Sequence, residues 1–169
     1  DGLAYDRCQV GVVTDMDGVE HLAAFDVHEQ EQMTKVLRTQ VDVVLDHGAA
    51  VLNGADAQVA ALAPLCDGSV VLYAQDANLP AIVEHRADEE SGRAVFVKND
   101  RVVLATGHSE HVLGRLSDLT FGRNAVAPDT DTLLAAIATA WALDISPDLI
   151  GAGIKTFEPE QAAPDTASA

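Results

Sequence analysis

The chain has 169 residues and a formal net charge of −17 at pH 7, enough length for one α/β domain with a proper core. So acidic a chain is no nucleic-acid binder, because phosphate recognition needs clustered Lys and Arg, and it has no affinity for an anionic membrane. No apolar run approaches the ~20 residues of a membrane helix, and no signal peptide is recognisable. Cys8 and Cys66, the two cysteines, read as reduced core residues of a cytoplasmic protein rather than a disulfide framework. The chain begins at Asp1 rather than methionine, which reads as a piece of a longer protein.

Val10, Gly11, Val12 and Val13 suit a strand covered on both faces. The run then breaks into a loop carrying Asp15, Asp17, Glu20 and His21. Ligands of open α/β sheets collect at the carboxyl ends of their strands, so this loop is the first candidate for metal or phosphate chemistry. Met33, Val36, Leu37, Val41 and Val44 then recur at helical spacing, predicting an amphipathic helix over residues 29–45 that ends at Gly48. Residues 49–53 form a short second strand, residues 55–66 a helix with Val59, Leu62, Ala63 and Cys66 on one face, and residues 69–73 a third buried strand. Strand–helix–strand alternation is the pattern of a parallel sheet with crossover helices.

The pattern changes in the middle. Residues 81–85, 94–98 and 101–105 read as short strands of an antiparallel edge meander. Asn99-Asp100 suits a two-residue hairpin loop with positive φ, and residues 88–92 make the preceding turn. Residues 107–129 carry little periodicity. Leu133, Leu134, Ile137, Ala140, Trp141 and Ile145 then define one helical stripe behind a cap at Asp129 or Thr130. Ser146-Pro147-Asp148 is a strong start for a last helix ending near Phe157, and residues 158–169 have the composition of a disordered tail.

Other motifs carry plainer readings. Asp15-Met16-Asp17-Gly18 has its glycine in the wrong place for a calcium loop. His108 and His111 lack a third ligand for zinc, and Ser109 has no nucleophile elbow. Trp141 and Tyr73 read as core residues.

Several stretches together resemble the C-terminal, Mur-ligase-like module of the cyanophycin synthetases. They are Gly2-Leu3-Ala4-Tyr5-Asp6-Arg7-Cys8 running into Val10–Thr14, Ala50-Val51-Leu52-Asn53, Leu65-Cys66-Asp67-Gly68, His85-Arg86-Ala87, Gly92-Arg93-Ala94-Val95-Phe96-Val97 and Ala140-Trp141-Ala142-Leu143. The resemblance covers residues 1–157 and implies a partial, parallel, P-loop-type α/β sheet with an antiparallel edge meander and two C-terminal helices. It implies an ATP-dependent ligase in which ATP phosphorylates a carboxylate and an amine displaces the phosphate. The module is similar to one that adds arginine to poly-aspartate, while a separate ATP-grasp portion, absent from this sequence, adds the aspartate.

Carried over residue by residue, the resemblance implies metal ligation by His21 and by Asp15, which replaces the family's asparagine. It places Asn53, Asp56 and Thr132 at the nucleotide, Thr132 standing where the family has an asparagine beside the adenine. Leu37 occupies the position of a metal-bridging lysine, and no Gly-rich phosphate loop with its Lys and Ser/Thr occurs in this sequence. The lid domain that the resemblance places after residue 157 is expected to be missing.

No catalytic residue is therefore assigned, and ATP and Mg2+ are expected in the parent enzyme rather than on this piece. The expected partners are the ATP-grasp and P-loop portions of the parent and a second copy of the chain. A lid-less branch of the family, which polymerises preformed aspartyl-arginine dipeptides, matches the departures better than the full enzyme. The rival reading is a structural or oligomerisation module. An unrelated small-molecule-binding domain would need a Gly-rich turn after a strand, which the sequence lacks.

Overall fold

The computed structural model describes residues 6–119 and 129–156. Among them six strands form one sheet in sequence order: β1 (Cys8–Val13), β2 (Val44–Asn53), β3 (Ser69–Ala74), β4 (Arg93–Lys98), β5 (Arg101–Thr106) and β6 (Ser109–Arg115). β1 to β4 run parallel, and β4, β5 and β6 form the antiparallel meander at the far edge. The α/β class, the crossover helices and the two C-terminal helices expected from the sequence are all present.

Parallel neighbours require crossovers, supplied by α1 (Gln30–Asp42), α2 (Ala57–Ala60) and α3 (Pro80–Arg86). Because crossovers share one hand and each strand docks beside its predecessor, these helices lie on one face. There Val41, Val59, Leu62 and Ile82 pack against Leu52, Leu72 and Phe96. α4 (Thr130–Ala142) and α5 (Pro147–Thr156) cover the other face, where Leu134, Ile137 and Ile150 meet Val51, Val71, Tyr73 and Val95. Alternation along each central strand thus feeds two cores, which is why these strands are apolar throughout.

The expected helix over 29–45 ends earlier, at Asp42, because Val44 already pairs with Cys8. Val36 is 41% exposed rather than core, while Met33 and Val41 are buried. Gly48 lies inside the ten-residue β2 instead of ending a unit. The helix expected over 55–66 is two short pieces, α2 and a 3-10 turn Ala63–Leu65, since Pro64 cannot continue the hydrogen-bond ladder.

Residues 81–85, expected as a strand, are the helix α3. Pro80 sits in its first turn, and Ile82 is buried while Val83 is 54% exposed. The third strand of the meander is instead β6, in the segment without periodicity. The hairpin at Asn99-Asp100 takes the expected positive φ, 51° and 60°. Gly107 turns β5 into β6 at φ 53°, where a Cβ would stand 2.6 Å from the Glu89 backbone. Asp129 caps α4 and Ser146 caps α5, as the sequence indicated. The expected tail, residues 158–169, lies outside the described residues.

Candidate functional site

The carboxyl ends of β1, β2 and β3 meet the start of α4 around a cleft of about 300 Å3. On leaving β1, Thr14 Oγ1 donates to Asp15 Oδ2 at 2.7 Å, and the Asp17 amide donates to Asp15 Oδ1 at 3.0 Å. Asn53 closes the end of β2: its Nδ2 donates to the Thr14 carbonyl at 2.9 Å and its Oδ1 accepts from the Ala55 amide at 2.9 Å. This asparagine therefore ties two strand ends together. Tyr73, 1% exposed, forms the third wall.

From α4 come Asp129, Asp131 and Thr132. Asp129 Oδ2 accepts from the Thr132 amide at 3.3 Å, as an N-cap does. Asp131 Oδ1 is shielded from solvent and has no hydrogen-bond partner among the described residues. Four aspartates, Asp15, Asp17, Asp129 and Asp131, thus share one small cleft, and among the described residues no lysine or arginine lines it. Burial first, then the charges of Asp131, Asp15 and Asp129, push the Tyr73 hydroxyl up to about 12.

The cations lie elsewhere. Lys98, Arg101 and Arg115 line a separate cleft of about 610 Å3 on the meander. Beside it, Lys98 and Arg86 hold the Glu110 carboxyl below the usual carboxylate range. Arg93 lies 4.1 Å over the Trp141 ring and donates to its carbonyl, which fixes α4 against β4.

The structure brings Asp15, Asn53 and Thr132 together in the first cleft and leaves His21 and Asp56 outside it. His21 is exposed and lies 3.5 Å from Glu20, while Asp56 caps α2 through the Gln58 and Val59 amides. Leu37 packs against the core, as its helical position indicated. Tyr73, Asp17, Asp129 and Asp131 are the cleft residues that the sequence reading did not single out together.

Mg2+ and ATP, which the resemblance implies, do not fit the residues present. Among the described residues no three His, Cys, Asp or Glu side chains converge closely enough to hold a metal ion. A triphosphate entering the cleft would meet four aspartates and, among the described residues, no neutralising cation.

Fold and cleft define the class: an α/β module with a cleft at the carboxyl ends of its parallel strands. No protein-family model matches the chain. It is 30% identical over 159 residues to cyanophycin synthetase from Geminocystis herdmanii, covering 94% of this chain and 18% of that protein. The cyanophycin synthetase of Crocosphaera subtropica is 28% identical over 158 residues, 93% of this chain and 18% of its own length. That of Synechocystis sp. is 30% identical over 157 residues, 92% of this chain and 18% of its own length. The chain is thus a relative of the cyanophycin synthetases, bearing out the resemblance read in its sequence, and it spans about 18% of the length of these relatives. Among the described residues no helix is long and apolar enough to cross a membrane.

Proposed function

We propose that residues 1–157 are the C-terminal, Mur-ligase-like module of a cytoplasmic cyanophycin synthetase, an ATP-dependent ligase that builds the aspartate–arginine polymer. The near end-to-end match to such synthetases carries this reading. On its own the module is inactive. Phosphoryl transfer depends on positioning and neutralising the phosphates, and this sequence contains no Gly-rich loop with its lysine.

Within the parent, a cleft lined by four aspartates and, among the described residues, by no cation favours a structural role over an ATP-using one. His21 and Asp15 at a metal, with Asn53, Asp56 and Thr132 at a nucleotide, belong to the ATP-using reading. The parent is then a polymerase of preformed aspartyl-arginine dipeptides through its ATP-grasp portion. The test is incorporation by the full-length parent on a cyanophycin primer, with aspartate plus arginine against the dipeptide. Dipeptide-only incorporation is expected; ATP-driven incorporation of free arginine would overturn the structural role.

The proposed self-association uses the outer edge of β1, which has no strand partner among the described residues and carries Val12 at 38% exposure. Sedimentation of the isolated chain should show a concentration-dependent dimer. Val12→Lys should weaken it at least tenfold, and a concentration-independent monomer would refute this contact.

A further inference from the structure

We propose that the cleft on the meander binds a phosphate dianion, free or at the head of an organic molecule, through the Arg101 and Arg115 guanidinium groups. The register of the sheet sets three cations in one row. Lys98 on β4 stands opposite Arg101 on β5, and Arg101 stands opposite Arg115 on β6. Directly opposed Cα atoms of antiparallel strands lie about 4.5–5.5 Å apart, and like charges so placed destabilise the pairing. The chain has 27 Asp and Glu against 10 Lys and Arg, so acids to separate the row are plentiful. Only Lys98 receives one, Glu110, at 3.0 and 2.8 Å. Among the described residues, neither Arg101 nor Arg115 has a side-chain hydrogen bond or an ion pair.

A second observation concerns the strand itself. β5 and β6 pair Val103 with Val112 but Arg101 with Arg115, so β6 carries one residue more between these pairs. Side chains alternate along a regular strand, and three residues beyond Val112 would put Arg115 on the opposite face. The extra residue of the bulge cancels that turn. It brings Arg115 beside Arg101, both lining one cleft with Val103 and Val112. Bulges re-aim side chains in this way, and here the result is to bring two like charges together.

The kind of ligand follows from the lining. Its carboxylates are Asp100 and Glu110, and Glu110 is already shared by Lys98 and Arg86. The two arginines therefore outweigh Asp100 and attract an anion. A carboxylate has two oxygens, which a single guanidinium fork occupies, whereas a phosphate dianion has three and matches two forks in charge. Val112, 47% exposed, offers an apolar seat for an organic group attached to the phosphate. None of the residues that the resemblance places at a metal or nucleotide lines this cleft.

The proposal does not depend on which reaction the parent performs, because its test reads binding rather than polymerisation. The isotope-labelled chain is titrated with inorganic phosphate, phenyl phosphate and acetate at constant ionic strength and mildly alkaline pH. Amides of Val103, Val112 and Arg115 are followed by NMR, with Thr132 as a distant control. Both phosphates should give saturable shifts confined to the cleft, with a Kd in the low-millimolar range or below. Tighter binding of phenyl phosphate identifies an organic phosphate seated on Val112, and equal binding identifies the free ion; either supports the proposal. Arg101→Gln and Arg115→Gln should each weaken binding about tenfold or more, with an unchanged far-ultraviolet spectrum. Non-saturable shifts with both phosphates would overturn the proposal, as would binding unaffected by both substitutions. Acetate saturating the same amides as tightly as the phosphates would also overturn it, by removing the need for a dianion.

Discussion

Phe96→Ala is expected to lower the stability of the folded chain by about 4 kcal/mol, the range for removing a buried aromatic ring. Phe96 is 0% exposed, pairs with Ala74 and Val103 on either side, and belongs to the helix-covered core with Ile82 and Leu72. Its ring also supports Arg86, whose guanidinium carbon lies 4.8 Å from the ring centroid. Arg86 in turn donates to the Gly107 carbonyl at 2.9 Å and pairs with Glu110 at 3.0 Å, joining α3 to the β5–β6 turn. Truncation therefore opens a cavity and loosens a half-buried cation at once. Against a total stability of about 5–15 kcal/mol, such a loss is readily measured. Urea unfolding should show a lower midpoint at unchanged slope, and Phe96→Leu should recover more than half of the loss. A change below about 1.5 kcal/mol would mean that the meander does not depend on this core.

The second large effect is alkaline. With Tyr5 replaced by phenylalanine, the tyrosinate absorbance of the folded chain should rise near pH 12 rather than 10, because burial and the facing aspartates keep the Tyr73 hydroxyl protonated. The raised folded-state value sets the sign of the stability change. Below pH 10 neither state ionises, and the contribution of Tyr73 is fully present. Between 10 and 12 the unfolded chain loses the proton while the folded chain keeps it, so stability falls as pH rises. At 1.36 kcal/mol per pH unit the loss reaches roughly 2–3 kcal/mol by pH 12. Replacing Asp15, Asp129 and Asp131 by asparagine should lower the midpoint without returning it to 10, since burial is the larger cause. Folded-state titration at pH 10 would remove Tyr73 from the cleft.

Local chemistry made the parallel strands, the Asn99-Asp100 hairpin and the caps at Asp129 and Ser146 legible. Each is written in a few adjacent residues: β-branched runs, a positive-φ pair, a side-chain oxygen before an apolar stripe. Ala81-Ile82-Val83-Glu84-His85 misleads because β-branched residues favour a strand, whereas the topology needs a crossover between the parallel strands β3 and β4. Only Ile82 is fully buried there, a helix's single inward contact rather than a strand's alternation. β6 escapes notice for the opposite reason: as an exposed edge strand, Ser109–Arg115 has no buried face to impose a period.

The cleft was half legible. The rule about strand ends found Asp15 and Asp17, the family resemblance added Asn53 and Thr132, and the rule applied to β3 reaches Tyr73. Asp129 and Asp131, by contrast, look like ordinary helix-start acids until α4 folds back over the sheet. No local spacing brings residues 15, 73 and 131 together.

The strict sequence order of the six strands bears on synthesis. Each strand that leaves the ribosome finds its neighbour already in place, so β1 to β6 can be laid down one after another without waiting for a distant segment. α4 and α5 are the exceptions: they emerge after the whole sheet and return to its uncovered face. The face carrying Val51, Val71, Tyr73 and Val95 therefore stays open until residues 130–156 arrive, and the aspartate cleft cannot close before the start of α4 is made.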